Sequence, residues 1–184
     1  MFYAKMIQSD HYWSQELLKP APDQNLYLII DMIQYDDTSN KIVSYLQNQQ
    51  SVFLHSLSLF KGTIDEELNN VAPYLCQINS FENRLTESER AFLETEEKTS
   101  PVLLWLYSQS DLISLHRHLQ HFMAGKLNNG REALLRFYDP RVLPKFLTML
   151  TAEQSEQFWN GVDQIALWDS KQQQRMIFRR DTDA

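Results

Sequence analysis

Glycine is scarce in this chain, 4 residues in 184, where globular proteins average about 7%. Rossmann and P-loop fingerprints are absent, which excludes the common nucleotide cradles. Cysteine is scarcer still: Cys76 alone supports neither an internal disulfide nor a multi-cysteine zinc site, and such usage fits a reducing compartment. Basic charge is also short. Lys and Arg number 17 against 24 acidic residues, a formal net charge of -7, whereas a nucleic-acid binder needs a concentrated basic face. The one basic cluster, Arg175, Arg179 and Arg180, reads as a solvated tail. Long apolar runs are missing too: the best, Leu26 to Ile33, is broken by Asp31 and falls far short of the roughly 18 residues of a membrane span. The opening MFYAKMIQSDHYW lacks the charged-then-apolar order of a signal peptide. The expectation is a cytoplasmic protein that engages neither nucleic acid nor membrane.

What is present is an ordinary globular composition, 43% hydrophobic and 22% charged, enough to bury a core in one domain or one domain with a small lobe. Residues 1–25 are rich in aromatics and read as an N-terminal arm with a short helix around Ser14 to Lys19, closed by Pro20 and Pro22. Leu26 to Asp31 is a short apolar run with the look of a buried strand, and Asp36 or Asp37 caps a helix to about Gln49 before a second strand over Val52 to Leu57. Such a strand, helix and strand favour a parallel pairing with a right-handed crossover. Further strands are expected at Tyr74 to Ile78 and Val102 to Tyr107, with a helix opened by the capping-box spacing Thr86 to Glu89 between them. Ser110 or Asp111 opens another helix, to Met123, in which Leu112, Leu115, Leu119 and Phe122 recur at helical spacing.

Beyond it, Glu132 to Tyr138 is strand-like, Asp139-Pro140-Arg141 has the form of a helix start for residues 140–150, and Thr151 to Gln154 is a second capping box. Val162 to Trp168 and Arg175 to Phe178 fit a last hairpin, although Gln172 to Gln174 suit a helix equally well. The fold class expected is α/β, with a small mixed or mostly parallel sheet covered by helices and a more helical C-terminal lobe. Its division would be an arm over 1–25, an α/β lobe over 26–110 and a mainly helical lobe over 111–184 that can end in the hairpin, with one domain over about 26–168.

Candidates for chemistry are few. His116, His118 and His121 suggest metal ligands, but at about 100° per residue they diverge around a helix. Cys76 with His55 as its base would make a nucleophile, yet a lone cysteine on an apolar strand is ordinarily a small core residue. Asp31 stands at the carboxyl end of a strand, where α/β enzymes often keep acids, with no second group to pair with it. The acidic run Asp65, Glu66, Glu67 lacks the turn glycine and spacing of a cation loop and reads as a solvated helix start. No cofactor or metal is expected.

Four segments, Leu26-Tyr-Leu-Ile-Ile-Asp31, Glu67-Leu-Asn-Asn-Val-Ala-Pro-Tyr-Leu75, Leu112 to Met123 and Arg136-Phe-Tyr-Asp-Pro-Arg-Val-Leu143, together resemble the adaptor, or effector-chaperone, family that accompanies bacterial type VI secretion effectors. The resemblance covers about residues 26–168. It departs from the family at Leu112 to Met123, where relatives commonly carry more arginine and this chain has three histidines. It implies a non-enzymatic adaptor that binds one effector protein, through the effector's N-terminal region, and loads it onto the spike (VgrG-type) protein for export. The matching residues Asp31, Pro73, Tyr74, Arg136, Tyr138, Asp139, Pro140 and Arg141 are then a structural or interface-supporting motif. The rival readings are a small hydrolase-like enzyme using Asp31 or Cys76 and a structural component of the secretion apparatus.

Overall fold

An apolar run without polar alternation is stable as a strand only where both of its faces are covered. The runs at residues 26–30 and 103–107 are such strands, central in one sheet of the computed structural model, which describes residues 2–7, 23–32, 53–78, 87–100, 102–126 and 130–180. The helices expected at Ser14 to Lys19 and Asp36 to Gln49, and the cap residue Thr86, lie outside the described residues.

In chain order the strands are β1 (Phe2–Ile7), β2 (Asn25–Ile30), β3 (Phe53–Ser58), β4 (Tyr74–Ile78), β5 (Leu103–Ser108), the short β6 (Ala124–Lys126) and β7 (Glu132–Leu134), β8 (Gln164–Asp169) and β9 (Gln174–Arg180). The α-helices are α1 (Glu87–Thr99), α2 (Leu112–His121), α3 (Leu143–Met149) and α4 (Ala152–Trp159), and a 3-10 helix spans Glu66–Val71. Seven strands form one sheet in the order β1-β9-β8-β5-β2-β4-β3, and β6 pairs with β7 in a separate ribbon.

This overturns the expected fold class. Every neighbouring pair in the sheet is antiparallel, so it is neither mixed nor mostly parallel. The crossover reading assumed that β2 and β3 sit side by side. They do point the same way, but β4 lies between them, antiparallel to both. The C-terminal part is not mainly helical either: after two short helices the chain returns to the sheet as the β8–β9 hairpin, the hairpin expected at Val162 to Trp168 and Arg175 to Phe178, and β8 pairs with β5 near the centre.

Two layers of core lie on the two faces of the sheet. On one, Tyr27, Ile29, Leu104, Leu106 and Ile165 pack with Leu115 and Leu119 of α2 and Phe158 of α4. On the other, Leu28, Ile30, Trp105 and Ile177 pack with Leu93 of α1. Each such side chain contributes about 1.5–3 kcal/mol when fully buried. Phe158 centres an aromatic cluster, with ring centroids 5.1 Å from Phe122, 5.6 Å from Phe146 and 5.9 Å from Phe137.

Local chemistry sets the helix ends. The Asp111 carboxylate accepts from the backbone amides of Ile113 and Ser114, both at 2.9 Å, and so caps α2. Thr151 and Gln154 form the full reciprocal capping box of α4. The Asp139 expectation is corrected: its side chain accepts from the Arg141 amide at 2.9 Å, closing a turn two residues on, and α3 begins only at Leu143 without a side-chain cap. An Asp before Pro suits a side-chain-closed turn as well as a helix start, and here the turn is what forms.

Candidate functional site

Asp31 leaves the end of β2 between two neighbouring strands, because Ile30 is in register with Tyr74 of β4 and Leu103 of β5. Its amide donates to the Val102 carbonyl at 2.9 Å, which fixes the backbone, and its side chain is fully buried. A bare buried carboxylate is costly unless paired. The partner arrives from far along the chain: Arg136 Nη2 donates to Asp31 Oδ2 at 2.7 Å and lies 3.6 Å from Asp139 Oδ2. Asp139 in turn accepts two bonds from the Arg141 side chain, Nε to Oδ1 at 2.9 Å and Nη2 to Oδ2 at 2.6 Å.

Four charges therefore alternate as Asp31, Arg136, Asp139, Arg141, and the chain of contacts runs from a sealed end to an open one: Arg136 is 31% and Arg141 55% exposed. Burial works against the Asp139 charge, but hydrogen bonds and charge from Arg141, with Arg136 behind, hold its carboxyl below the ordinary range. Burial likewise opposes the Arg136 charge, and Asp31 more than offsets it, raising the guanidinium further. Tyr138 is buried beneath Arg136, whose guanidinium carbon lies 5.8 Å from the ring centroid. Burial, and then the Asp31 charge, push its phenol up to about 12.

The structure thus brings Asp31, Arg136, Tyr138, Asp139 and Arg141 together. Pro73 and Tyr74 stand at the same end of the sheet, where the Pro73 carbonyl accepts from Leu59 and the Tyr74 hydroxyl donates to the Asn69 carbonyl at 3.3 Å. Pro140 and Arg141 also line a recess of about 170 Å³ walled by Trp168 and Met176 of the C-terminal hairpin.

Other candidates do not meet. Cys76 is in register with Ser56, and His55 with Gln77, so alternation places the Cys76 and His55 side chains on opposite faces of the sheet. Burial pushes the Cys76 thiol up to about 12, far from nucleophilic. His116 contacts the Ser58 carbonyl at 2.7 Å and His118 the Phe158 carbonyl at 2.8 Å, while His121 is exposed. Each of the first two ties α2 to a different neighbour. Against Gly161 the packing is close enough that a Cβ there would come within 2.5 Å of the His118 ring. Asp65 precedes the 3-10 helix without capping it, and Glu66 and Glu67 are exposed in its first turn.

Sequence reasoning missed one charged pair. Arg175, read as part of a solvated tail, is only 5% exposed and donates to Glu97 of α1 at 2.5 Å. Two signals were available: Met176, Ile177 and Phe178 mark a strand buried on both faces, and Glu97 stands four residues after the core residue Leu93. Burial raises the Glu97 carboxyl, with Arg175 and the Trp105 indole pulling it back.

A family model described as a domain of unknown function (DUF4123) matches residues 26–157. No curated protein and no solved structure matches the chain. No helix among the described residues is long and apolar enough to cross a membrane.

Proposed function

We propose, from the premise that the chain belongs to the DUF4123 family, that it is a non-enzymatic adaptor of the cytoplasm. It holds one effector protein by the effector's N-terminal region and hands it to the spike protein of a type VI secretion machine, as the sequence resemblance implies. The observation that carries this reading is how the motif charges are employed. Asp31, Arg136, Asp139 and Arg141 pair with one another, so the most distinctive charged residues hold a turn against a sheet end instead of standing ready to move protons. Large apolar side chains meanwhile stand out from the described surface: Ile64, Leu68, Ile113, Val142 and Met149. Val142 precedes α3 directly after the motif turn and Met149 is the last residue of that helix, and exposed apolar anchors beside a rigid support suit a binding surface.

The adaptor reading is tested by co-expressing the chain with a neighbouring effector and the spike protein. The three should purify together, and deleting the adaptor should stop export of that effector while a second effector leaves the same cell normally. Loss of all secretion would point to an apparatus component, and undisturbed export of the cognate effector would remove the reading.

A further inference from the structure

Residues 63–65, the β6–β7 ribbon, Gln120 of α2 and Met123 together line a cleft of about 510 Å³. That volume is in the range of pockets that seat small ligands or a few side chains. Its walls are shaped by close local chemistry. Gly62 takes a φ of 77° that lets the chain reverse ahead of Thr63, and the Thr63 hydroxyl then bonds the Phe60 carbonyl and the Asp65 amide. Opposite, the Leu135 amide donates to the Met123 carbonyl at 2.7 Å and closes the ribbon. Gln120 donates to the Leu59 and Lys61 carbonyls, which ties α2 to the turn that leads into residues 63–65.

The lining is apolar with acid at its edge. Ile64, 82% exposed, is the most exposed of the large apolar side chains among the described residues, and it shares the cleft with Met123, Ala124, Ala133 and Leu134. The two charged residues among the described lining, Asp65 and Glu132, are both acidic, and exposed Glu66 and Glu67 continue the same sign along the 3-10 helix. Lys61 and Arg131 are exposed beside these segments without lining the cleft, and Lys126 of β6 stands in register with Glu132 of β7, so Asp65 is the acid of the lining without a cation opposite it in the ribbon.

We infer that this cleft seats a short segment of the partner protein in which apolar residues are flanked by lysine or arginine. The inference rests on the adaptor reading for the identity of the partner and on the cleft itself for its chemistry. Apolar side chains fill the floor and exclude water, while the flanking cations meet Asp65 and Glu132. A second copy of this chain, with its net charge of -7, would bring repulsion to the same edge, and an acidic segment would do so more strongly.

The test uses the full chain and three labelled peptides followed by fluorescence anisotropy: one alternating leucine and lysine, one alternating leucine and glutamate, one alternating serine and lysine. The leucine–lysine peptide should bind about tenfold or more tightly than either of the others and weaken as salt is raised. The double variant Asp65→Lys, Glu132→Lys should invert the preference between the two leucine peptides, and Ile64→Ser should weaken both. Ile64 and Glu132 face solvent and Asp65 is half-buried, and an unchanged melting temperature separates lost binding from lost folding. Equal binding of the two leucine peptides, or a double variant with unaltered preference, overturns the inference. Effector capture by the unmodified chain is measured alongside. If that fails while the peptide preference holds, the adaptor reading falls and the cleft chemistry stands. If capture succeeds and the charge-reversed variant shows no change in either assay, the cleft inference falls alone.

Discussion

Two ionic arrangements brace the same end of this sheet, where Ile30, Leu103, Trp168 and Arg175 follow one another across the strands, and they solve the problem of a buried carboxylate differently. Asp31 and Asp139 share two guanidinium groups in a chain of contacts that opens toward solvent at Arg141. Glu97 has Arg175 in a pair shut on both sides, at 1% and 5% exposure. The desolvation of a closed pair can exceed its Coulombic gain, whereas an open network keeps one charge hydrated and adds hydrogen bonds to each carboxylate. The proton affinities follow that difference: Asp139 is held below the ordinary range by its arginines, while Glu97 is raised because burial outweighs Arg175.

The largest expected effect breaks the closed pair. Arg175→Met leaves the Glu97 carboxylate buried without its guanidinium and should cost about 3–5 kcal/mol in urea unfolding. Adding Glu97→Gln should recover most of that loss, since neutral groups of similar size need no counter-charge there. Recovery of nothing would mean that Arg175 acts by packing and not by charge.

A smaller loss is expected on the open side. Asp31→Ala strands Arg136 only partly, because the guanidinium retains Asp139 at 3.6 Å and 31% exposure to water, so the cost should be about 1–3 kcal/mol. A cycle with Arg136→Ala should return a favourable coupling of about 0.5–3 kcal/mol. A loss as large as that of Arg175→Met would erase the distinction between the two regions.

How far the sequence foretells all this depends on range. Short-range chemistry was legible: the Asp111 cap, the Thr151 to Gln154 box, and the positions of β2, β4 and β5 follow from a few adjacent residues. Strand order and direction were not. Leu26 to Ile30 is buried on both faces, which removes the alternation that marks a half-exposed antiparallel strand, and a doubly buried run reads the same in a parallel sheet. Asp31 was noticed but without a partner, for Arg136 lies 105 residues away, and no local pattern encodes that meeting. Arg175 was misplaced because three arginines near the end of the chain look alike, although place along the strand decides their burial: Arg175 and Arg179 share one side of β9, but Arg175 at its start lies against Glu97 and is buried, while Arg179 near its end is exposed and bonded to Gln164.

The most delicate consequence is one of sign. For Asp139 the folded pKa is lowered, so its contribution is fully present above the ordinary carboxyl value of about 3.9 and is lost as pH falls through the lower, folded value. For Glu97 the folded pKa is raised, so the native state binds the extra proton in the window above the ordinary value of about 4.3, and ionisation there works against folding as pH rises. Comparing the wild type with Asp139→Asn and with Glu97→Gln by urea unfolding across the acid range separates the two. The advantage of wild type over Asp139→Asn should shrink as pH drops below about 4. Against Glu97→Gln, wild type should instead lose ground as pH climbs above about 4.3. Two differences with the same slope would mean that one carboxylate is paired otherwise than its geometry indicates, and the contrast between an open network and a sealed pair would have to be redrawn around that residue.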